Sequence, residues 1–193
     1  MSNVRRQGIP VGKLYEKITP DLGTWLKQQH MFFVATSPLA QGGLVNCSPK
    51  GMDSFRILGP RHVAYLDLTG SGVETIAHLR ENGRIVFMFC AVTGLPKIVR
   101  LHGTGEVFTP ESPGWNQLRE HFPEHLGARA IISASLARIS DSCGFAVPQL
   151  EYVAERDTLT RSHEVKGAAG LQKYRNEKNA RSLDGLPGIE PQP

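Results

Sequence analysis

The segment from Tyr65 to Cys90 constrains the fold most, because it reads without a break as strand, tight turn, amphipathic helix and apolar strand. Its first four residues are extended in character, and the small residues 69–72 (Thr-Gly-Ser-Gly) predict a turn that another group can approach closely. Helical spacing then follows in Val73, Ile76, Ala77 and Arg80. A chain that forms these elements in succession places a helix N-terminus directly at the end of a strand.

This turn is a candidate anion site. The first amides of a helix have no intrahelical acceptor, and the positive end of the helix dipole attracts an anion. We therefore expect a phosphate to be bound by the turn residues Thr69, Gly70, Ser71 and Gly72. The alternative is an ordinary N-cap, in which the hydroxyl of Thr69 or Ser71 accepts a hydrogen bond from the first turn of the helix.

Length and composition indicate one globular domain over residues 1–193, with a barrel core at about 20–148 and a helical C-terminal extension at 149–193. The hydrophobic share is 40% and the charged share 21%. The longest apolar run, 85–92, is too short to cross a bilayer, and Met1–Arg6 does not open a signal peptide. We expect a cytoplasmic protein that has no membrane partner.

Charge and cysteine spacing argue against two further classes of protein. The net charge is +4 and the pI about 9.1, but acids interleave with the bases, as in 166–184, so we expect no nucleic-acid partner. A bound anionic cofactor explains a mildly basic chain equally well. We also expect no metal, because Cys47, Cys90 and Cys143 lie far apart. The pair His121 and His125 lacks the glutamate of a metalloprotease motif.

Short strands account for most of the remaining pattern. We expect them at 31–36, 44–48, 55–58, 62–68, 85–90, 97–108 and 129–139. The run 85–90 does not alternate in polarity, which predicts burial of both its faces, whereas 97–108 alternates. Few crossover helices separate the strands. The pattern predicts a mainly β (α+β) fold, a small closed antiparallel barrel of about six strands with flanking helices.

The turn Ser48-Pro49-Lys50-Gly51 is a second candidate site. It places a hydroxyl, a rigid backbone and a flexible ammonium where a strand ends, and such a cation often meets an anion. A surface turn with a solvated lysine is the alternative. We expect the proline to end the strand after Ser48.

Together these segments resemble the FMN-binding split-barrel family typified by pyridoxamine 5′-phosphate oxidase. The likeness spans roughly residues 20–110 and is carried by the stretches 32–51, 65–90 and 97–107. The Ser-Pro-Lys-Gly turn and the later segments 142–148 (Ser-Cys-Gly-Phe-Ala-Val-Pro) and 178–187 are similar to a branch of uncharacterised proteins named after the oxidase.

The resemblance implies a homodimer of six-stranded split barrels with two FMN molecules at the subunit interface. In the oxidases an Arg-Lys pair binds the FMN phosphate, and these positions align with Ser71 and Gly72, so both charges are missing here. Phosphate binding then depends on amides, on hydroxyl groups and on a cation from elsewhere in the chain. The candidates for that cation are Lys50 and Arg100.

The implied cofactor site combines the edge of the second predicted strand, the phosphate segment 65–72, the polar face of the long strand, and the C-terminal tail. Its candidate residues are Asn46, Ser48, Pro49, Lys50, Tyr65, Asp67, Thr69, Gly70, Ser71, Gly72, Arg100, His102, Asn179, Arg181 and Ser182. We expect Arg100 and His102 to face the partner's flavin. No side chain stands out as a catalytic acid or base.

The expected function is that of an FMN-dependent oxidoreductase, in which the flavin carries the chemistry and the protein supplies position and electrostatics. Its partners are a second copy of the chain and a small-molecule substrate or electron donor. A non-catalytic flavin-binding or flavin-sensing module is the first alternative. The second is a structural barrel whose phosphate turn has lost its ligand.

Overall fold

The computed structural model describes residues 12–192, so the expectation for Met1–Arg6 lies outside the described residues. The strands are β1 (Leu14–Tyr15), β2 (Phe32–Thr36), β3 (Asn46–Lys50), β4 (Phe55–Gly59), β5 (His62–Leu68), β6 (Arg84–Cys90), β7 (Ile98–Phe108) and β8 (Ala128–Ser142). The helices are α1 (Pro20–Lys27), α2 (Glu74–Asn82), α3 (Trp115–Arg119) and α4 (Thr158–Lys178). No helix within these residues combines the length and apolar character needed to cross a bilayer.

All eight strands form one antiparallel sheet in the order β3-β2-β6-β7-β8-β5-β4, with β1 paired to β8. The edge strands β3 and β4 pair with β2 and β5 respectively and not with each other, so the curled sheet stays open between them. The predicted antiparallel split barrel with flanking helices is confirmed, but within residues 12–192 it has eight strands instead of six, and the closed barrel that the strand pattern predicts is wrong because the edge strands do not pair. The two-residue strand β1 is too short to show a period of its own.

Local sequence signals explain where α1 begins and where α2 ends. In α1, Thr19 Oγ1 accepts a hydrogen bond from the amide of Leu22 at 3.3 Å, and Pro20 occupies the first helical position. Helix α2 ends at Gly83, whose φ of 72° is the left-handed conformation that glycine adopts without strain. Both helices bury their apolar faces on the inside of the sheet.

Aromatic rings fill the centre of this core. Phe32 lies 5.3 Å from Phe89 in a stacked arrangement and 5.9 Å from Tyr65 in an edge-on one, as measured between ring centroids. Helix α2 adds Ile76, which is fully buried. The aromatic core therefore backs the inner side of β2, β5 and β6.

Two strand predictions are wrong in detail. Strand β6 is not buried on both faces, because Ile85, Phe87 and Phe89 are buried while the alternate residues are only half-buried. Strand β3 continues through Pro49 to Lys50 instead of ending at Ser48. A proline is tolerated there because β3 is an edge strand, so the missing N–H removes no bond from the ladder.

The C-terminal extension is also less helical than predicted. Residues 150–157 are not helical, and α4 contains a break at Gly167, whose backbone is at φ 60° and ψ 179°. The tail after α4 folds back on itself, with the amide of Ile189 donating to the carbonyl of Asn179 at 2.7 Å. This return places the tail against the turn that joins β5 to α2.

Candidate functional site

The turn 69–72 joins β5 to α2, and its carbonyl groups are bound by side chains from distant parts of the chain. Arg129 donates from Nη1 to the carbonyl of Gly70 at 3.3 Å and from Nη2 to that of Gly72 at 2.7 Å. Asn179 Nδ2 also donates to Gly70, at 2.9 Å. The amides of residues 70–72 donate to no acceptor within residues 12–192. The turn therefore offers N–H groups to a ligand.

An ordinary N-cap does not explain this turn. Helix α2 begins after Val73, and no side chain caps it. Thr69 is buried and its hydroxyl donates to the carbonyl of Gly127 at 2.9 Å, while Ser71 is exposed. The N-cap alternative is therefore wrong, because both hydroxyls lie elsewhere.

Asp67 is the centre of the charge network beneath the turn. Its carboxylate, 1% exposed, lies 2.9 Å from Lys50 Nζ and 2.7 Å from Arg129 Nε. Burial by itself raises the pKa of Asp67, but the two cations outweigh burial and bring the pKa below its ordinary value of 3.8. Asp67 is therefore ionised at neutral pH, and it holds both cations in position.

Arg129 is the functional residue that the sequence reading missed. It stands at the start of an apolar strand, and its side chain is only 5% exposed. A charge predicted to lie within a buried strand needs a buried partner. This requirement could have marked Arg129 as one half of a buried ion pair, but it could not identify Asp67 as the partner across the sheet.

A small cavity of about 130 Å³ opens between β3 and the turn. Its lining consists of Asn46, Ser48, Lys50, Leu68, Gly70, Gly72, Glu74, Thr75 and Arg129. The structure thus brings the predicted strand edge and the predicted phosphate turn together. The cations Lys50 and Arg129 are balanced by Asp67 and Glu74, so an anion here would meet hydrogen-bond donors and not a net positive charge.

A second, larger cavity of about 700 Å³ adjoins the first at Lys50, which lines both. Its lining is mostly apolar and includes Phe33, Pro49 and Cys90. At its rim the rings of His30 and Tyr152 stack with centroids 3.6 Å apart. Burial raises the pKa of the Cys90 thiol, so this cysteine is not an activated nucleophile.

The remaining candidate residues are not in the lining of the small cavity. Arg100 and His102 are on the outer face of β7, where Arg100 Nη1 donates to Ser142 Oγ at 3.0 Å. Tyr65 is fully buried in the aromatic core. In the tail, Arg181 donates to the carbonyl of Gly185, and Ser182 Oγ accepts from the amide of Leu186.

Comparison with known proteins identifies the family. The model of the pyridoxamine 5′-phosphate oxidase family matches residues 18–154. The chain is 40% identical over 192 residues to the pyridoxamine 5′-phosphate oxidase family protein ustO of Aspergillus flavus, covering 91% of this chain and 77% of that protein.

Solved structures show the same fold at lower identity. HupZ of Group A Streptococcus superposes with a TM-score of 0.51 at 23% identity, covering 64% of this chain and 98% of HupZ. A candidate pyridoxamine 5′-phosphate oxidase of Lactobacillus delbrueckii gives 0.50 at 18% identity, over 67% of this chain and 98% of that protein. With the family match and the 40% identical relative, the chain belongs to the pyridoxamine 5′-phosphate oxidase family.

Proposed function

We propose that this protein binds FMN and is a flavin-dependent oxidoreductase. The observation that carries the proposal is that the amides of residues 70–72 donate to no acceptor within residues 12–192, beside a cavity that Gly70 and Gly72 line together with Ser48 and Lys50. The amides and the Lys50 ammonium fit a phosphate, since each can donate a hydrogen bond to an anionic oxygen. When bound, FMN supplies hydride or electron transfer.

The residues around the small cavity hold the donors in place. Asp67 orients Lys50. Arg129 and Asn179 bind the carbonyl groups of the turn, and this leaves its amide groups for a ligand. The adjoining apolar cavity has room for a small-molecule substrate or electron donor.

The same proposal includes a homodimer. The outer face of β6 carries the half-buried residues Val86, Met88 and Cys90, and beside it lies a groove of about 450 Å³ that Val86 and His102 line. A second copy related by a two-fold axis would cover this face. Arg100 and His102 would then reach toward the partner's flavin.

Titration with FMN tests the cofactor. We expect saturable quenching of flavin fluorescence with a Kd of about ten micromolar or below. Riboflavin, which lacks the phosphate, is the matched ligand control and should bind at least about tenfold more weakly. No binding of FMN at tens of micromolar, the modest end of the usual range, would contradict the proposal.

Reduction of the bound flavin separates the enzyme from the alternative. In an oxidoreductase, NADH or NADPH should bleach the flavin absorbance under anaerobic conditions, and an added acceptor should restore it. A flavin-binding or flavin-sensing module would bind FMN and show neither change at a useful rate.

A further inference from the structure

A chain of partly buried hydrogen bonds leads from the small cavity to a buried histidine that the proposed function does not use. Ser48 Oγ donates to Asn46 Oδ1 at 2.9 Å, and Asn46 Nδ2 donates to Thr36 Oγ1 at 3.2 Å and to Thr75 Oγ1 at 3.0 Å. Thr36 Oγ1 lies 2.9 Å from His78 Nδ1. Ser48 and Asn46 line the cavity, whereas His78 is fully buried.

The direction of each bond follows from the number of available hydrogens. Thr36 is buried, and its oxygen already accepts a hydrogen from Asn46. Its own hydrogen therefore needs an acceptor, and within residues 12–192 that acceptor is His78 Nδ1. His78 is then neutral with its hydrogen on Nε2, and an unsatisfied buried hydroxyl is avoided. At the other end, Ser48 uses its hydrogen on Asn46, so it presents only lone pairs to the cavity.

Protonation of His78 reverses the whole chain. A hydrogen on Nδ1 must be donated to Thr36, which then donates to Asn46 once the amide has turned over. The amide nitrogen now donates to Ser48, and the Ser48 hydroxyl is free to donate into the cavity. In both arrangements Asn46 keeps its hydrogen bonds to Thr36, Thr75 and Ser48, with Thr75 donating to the turned amide oxygen in the second, so one proton changes Ser48 from an acceptor to a donor.

The surroundings of His78 can respond to that proton. Among the residues that the structure describes, its Nε2 has no hydrogen-bond partner, and it lies 3.9 Å from the carboxylate of Asp184 in the C-terminal tail. Burial lowers the pKa of His78 below its ordinary 6.5, while Asp184 and, on its own helix, Glu74 and Glu81 raise it; burial prevails. Asp184 is itself held by the amide of Leu44, at 3.1 Å to Oδ2.

We propose that His78 and Asp184 are positioning residues that set, through Thr36 and Asn46, whether Ser48 accepts or donates a hydrogen bond in the cavity. This inference rests on the proposed function, because the cavity is the proposed flavin site. It gives the C-terminal tail a role: the tail supplies the charge that decides how readily the chain reverses.

Imidazole NMR tests the chain without any ligand. In the FMN-free protein at about pH 8, we expect His78 to carry its hydrogen on Nε2 and to titrate below the ordinary histidine value. Asp184→Asn keeps the size of the side chain but removes its charge, and should move the His78 midpoint lower. His121→Asn, at an exposed site, is the control and should move nothing. A hydrogen on Nδ1 at high pH, or a midpoint unaffected by Asp184→Asn, would overturn the inference.

FMN affinity tests the consequence. The ratio of the FMN affinities of the parent and Ser48→Ala isolates the contribution of Ser48. Titration of the FMN phosphate affects both affinities equally, so it cancels in the ratio. We expect this ratio to change about 2- to 10-fold between about pH 5 and pH 8, the size of one net hydrogen bond. The change should vanish in a His78→Asn background, and in Asp184→Asn it should shift to lower pH.

The two measurements separate the possible failures. If FMN binds and the ratio does not depend on pH, or depends on it equally in Asp184→Asn, the inference fails and the proposed function stands. If FMN does not bind, the proposed function fails, and the NMR result alone decides the direction of the chain. Asp184→Asn also covers the case in which His78→Asn does not fold, because Asp184 is at the surface of the tail.

Discussion

The polar groups around the turn 69–72 and those on the outer face of β6 and β7 differ in burial and in hydrogen bonding. Around the turn, Arg129, Asp67 and Asn179 are buried and bound to one another, and all come from the same chain. On the outer face, Arg100 binds only Ser142 within the described residues, and its neighbour His102 is exposed. The polar groups of one region are paired within a single chain, and those of the other are largely exposed.

The difference shows how the two regions acquire their geometry. A buried ion pair with satisfied hydrogen bonds holds its groups before any ligand arrives, and removing one member leaves an uncompensated charge. An exposed polar group keeps its rotamer freedom until a partner orders it. Substitutions should therefore act on stability at the turn and on association at the outer face.

The largest effect is expected for Arg129→Met. It leaves the buried carboxylate of Asp67 with one cation and the carbonyl of Gly72 without its donor, so the free energy of unfolding should fall by about 3 to 5 kcal/mol. Urea denaturation measures it. The matched control is Arg161→Met, which removes an exposed pair with Asp157 on α4 and should cost less than about 1 kcal/mol. Equal losses in the two variants would show that the turn is not preorganised by Arg129.

A smaller loss is expected for Gly127→Ala. A methyl group at this position would overlap the ring of His163, which is buried and hydrogen-bonded through Nε2 to the carbonyl of Thr69 at 2.8 Å. Overpacking of this kind costs about 1 to 3 kcal/mol. Gly42→Ala is the control, since nothing lies within reach of the added methyl, and it should stay within about 0.5 kcal/mol of the parent. Thermal unfolding of both variants measures the two changes in stability.

Lys50→Met should weaken FMN binding by about 1 to 3 kcal/mol, through loss of a charged donor at the cavity. Its effect on unfolding should be smaller than that of Arg129→Met, because Asp67 keeps its bond to Arg129. Fluorescence titration measures the affinity, and Lys173→Met, at a largely exposed site, is the control. Unchanged affinity in Lys50→Met would mean that Lys50 serves the fold and not the ligand.

The smallest effect on folding, and the sharpest on assembly, is expected for Met88→Lys on the outer face. Monomer stability should change by less than about 0.5 kcal/mol because the side chain is only half-buried. Light scattering should show the mass fall from twice 21.2 kDa to 21.2 kDa. Val165→Lys, on the exposed side of α4, should leave the dimer intact. A parent that already scatters as a monomer with FMN bound would remove the contrast between the two regions.

Several features could be predicted from the sequence because they depend on neighbours in the chain. The alternation of β7, the helical spacing after Gly72 and the small residues of the turn each report a local conformation. The resemblance to the oxidase family rested on the same local stretches, and the family match confirms it. For the same reason the turn and the strand edge at Ser48 were the parts of the candidate site that could be named.

The tertiary structure alone decided what binds these parts together. Arg129 meets Asp67 across paired strands, Asn179 returns from the end of α4, and His78 reaches Asp184 in the tail. The periodicity of the sequence does not predict such pairings, because burial and hydrogen bonding join residues that are far apart in the chain. The local sequence determined which backbone could face an anion, and the long-range contacts determined which side chains hold that backbone and how its charges are balanced.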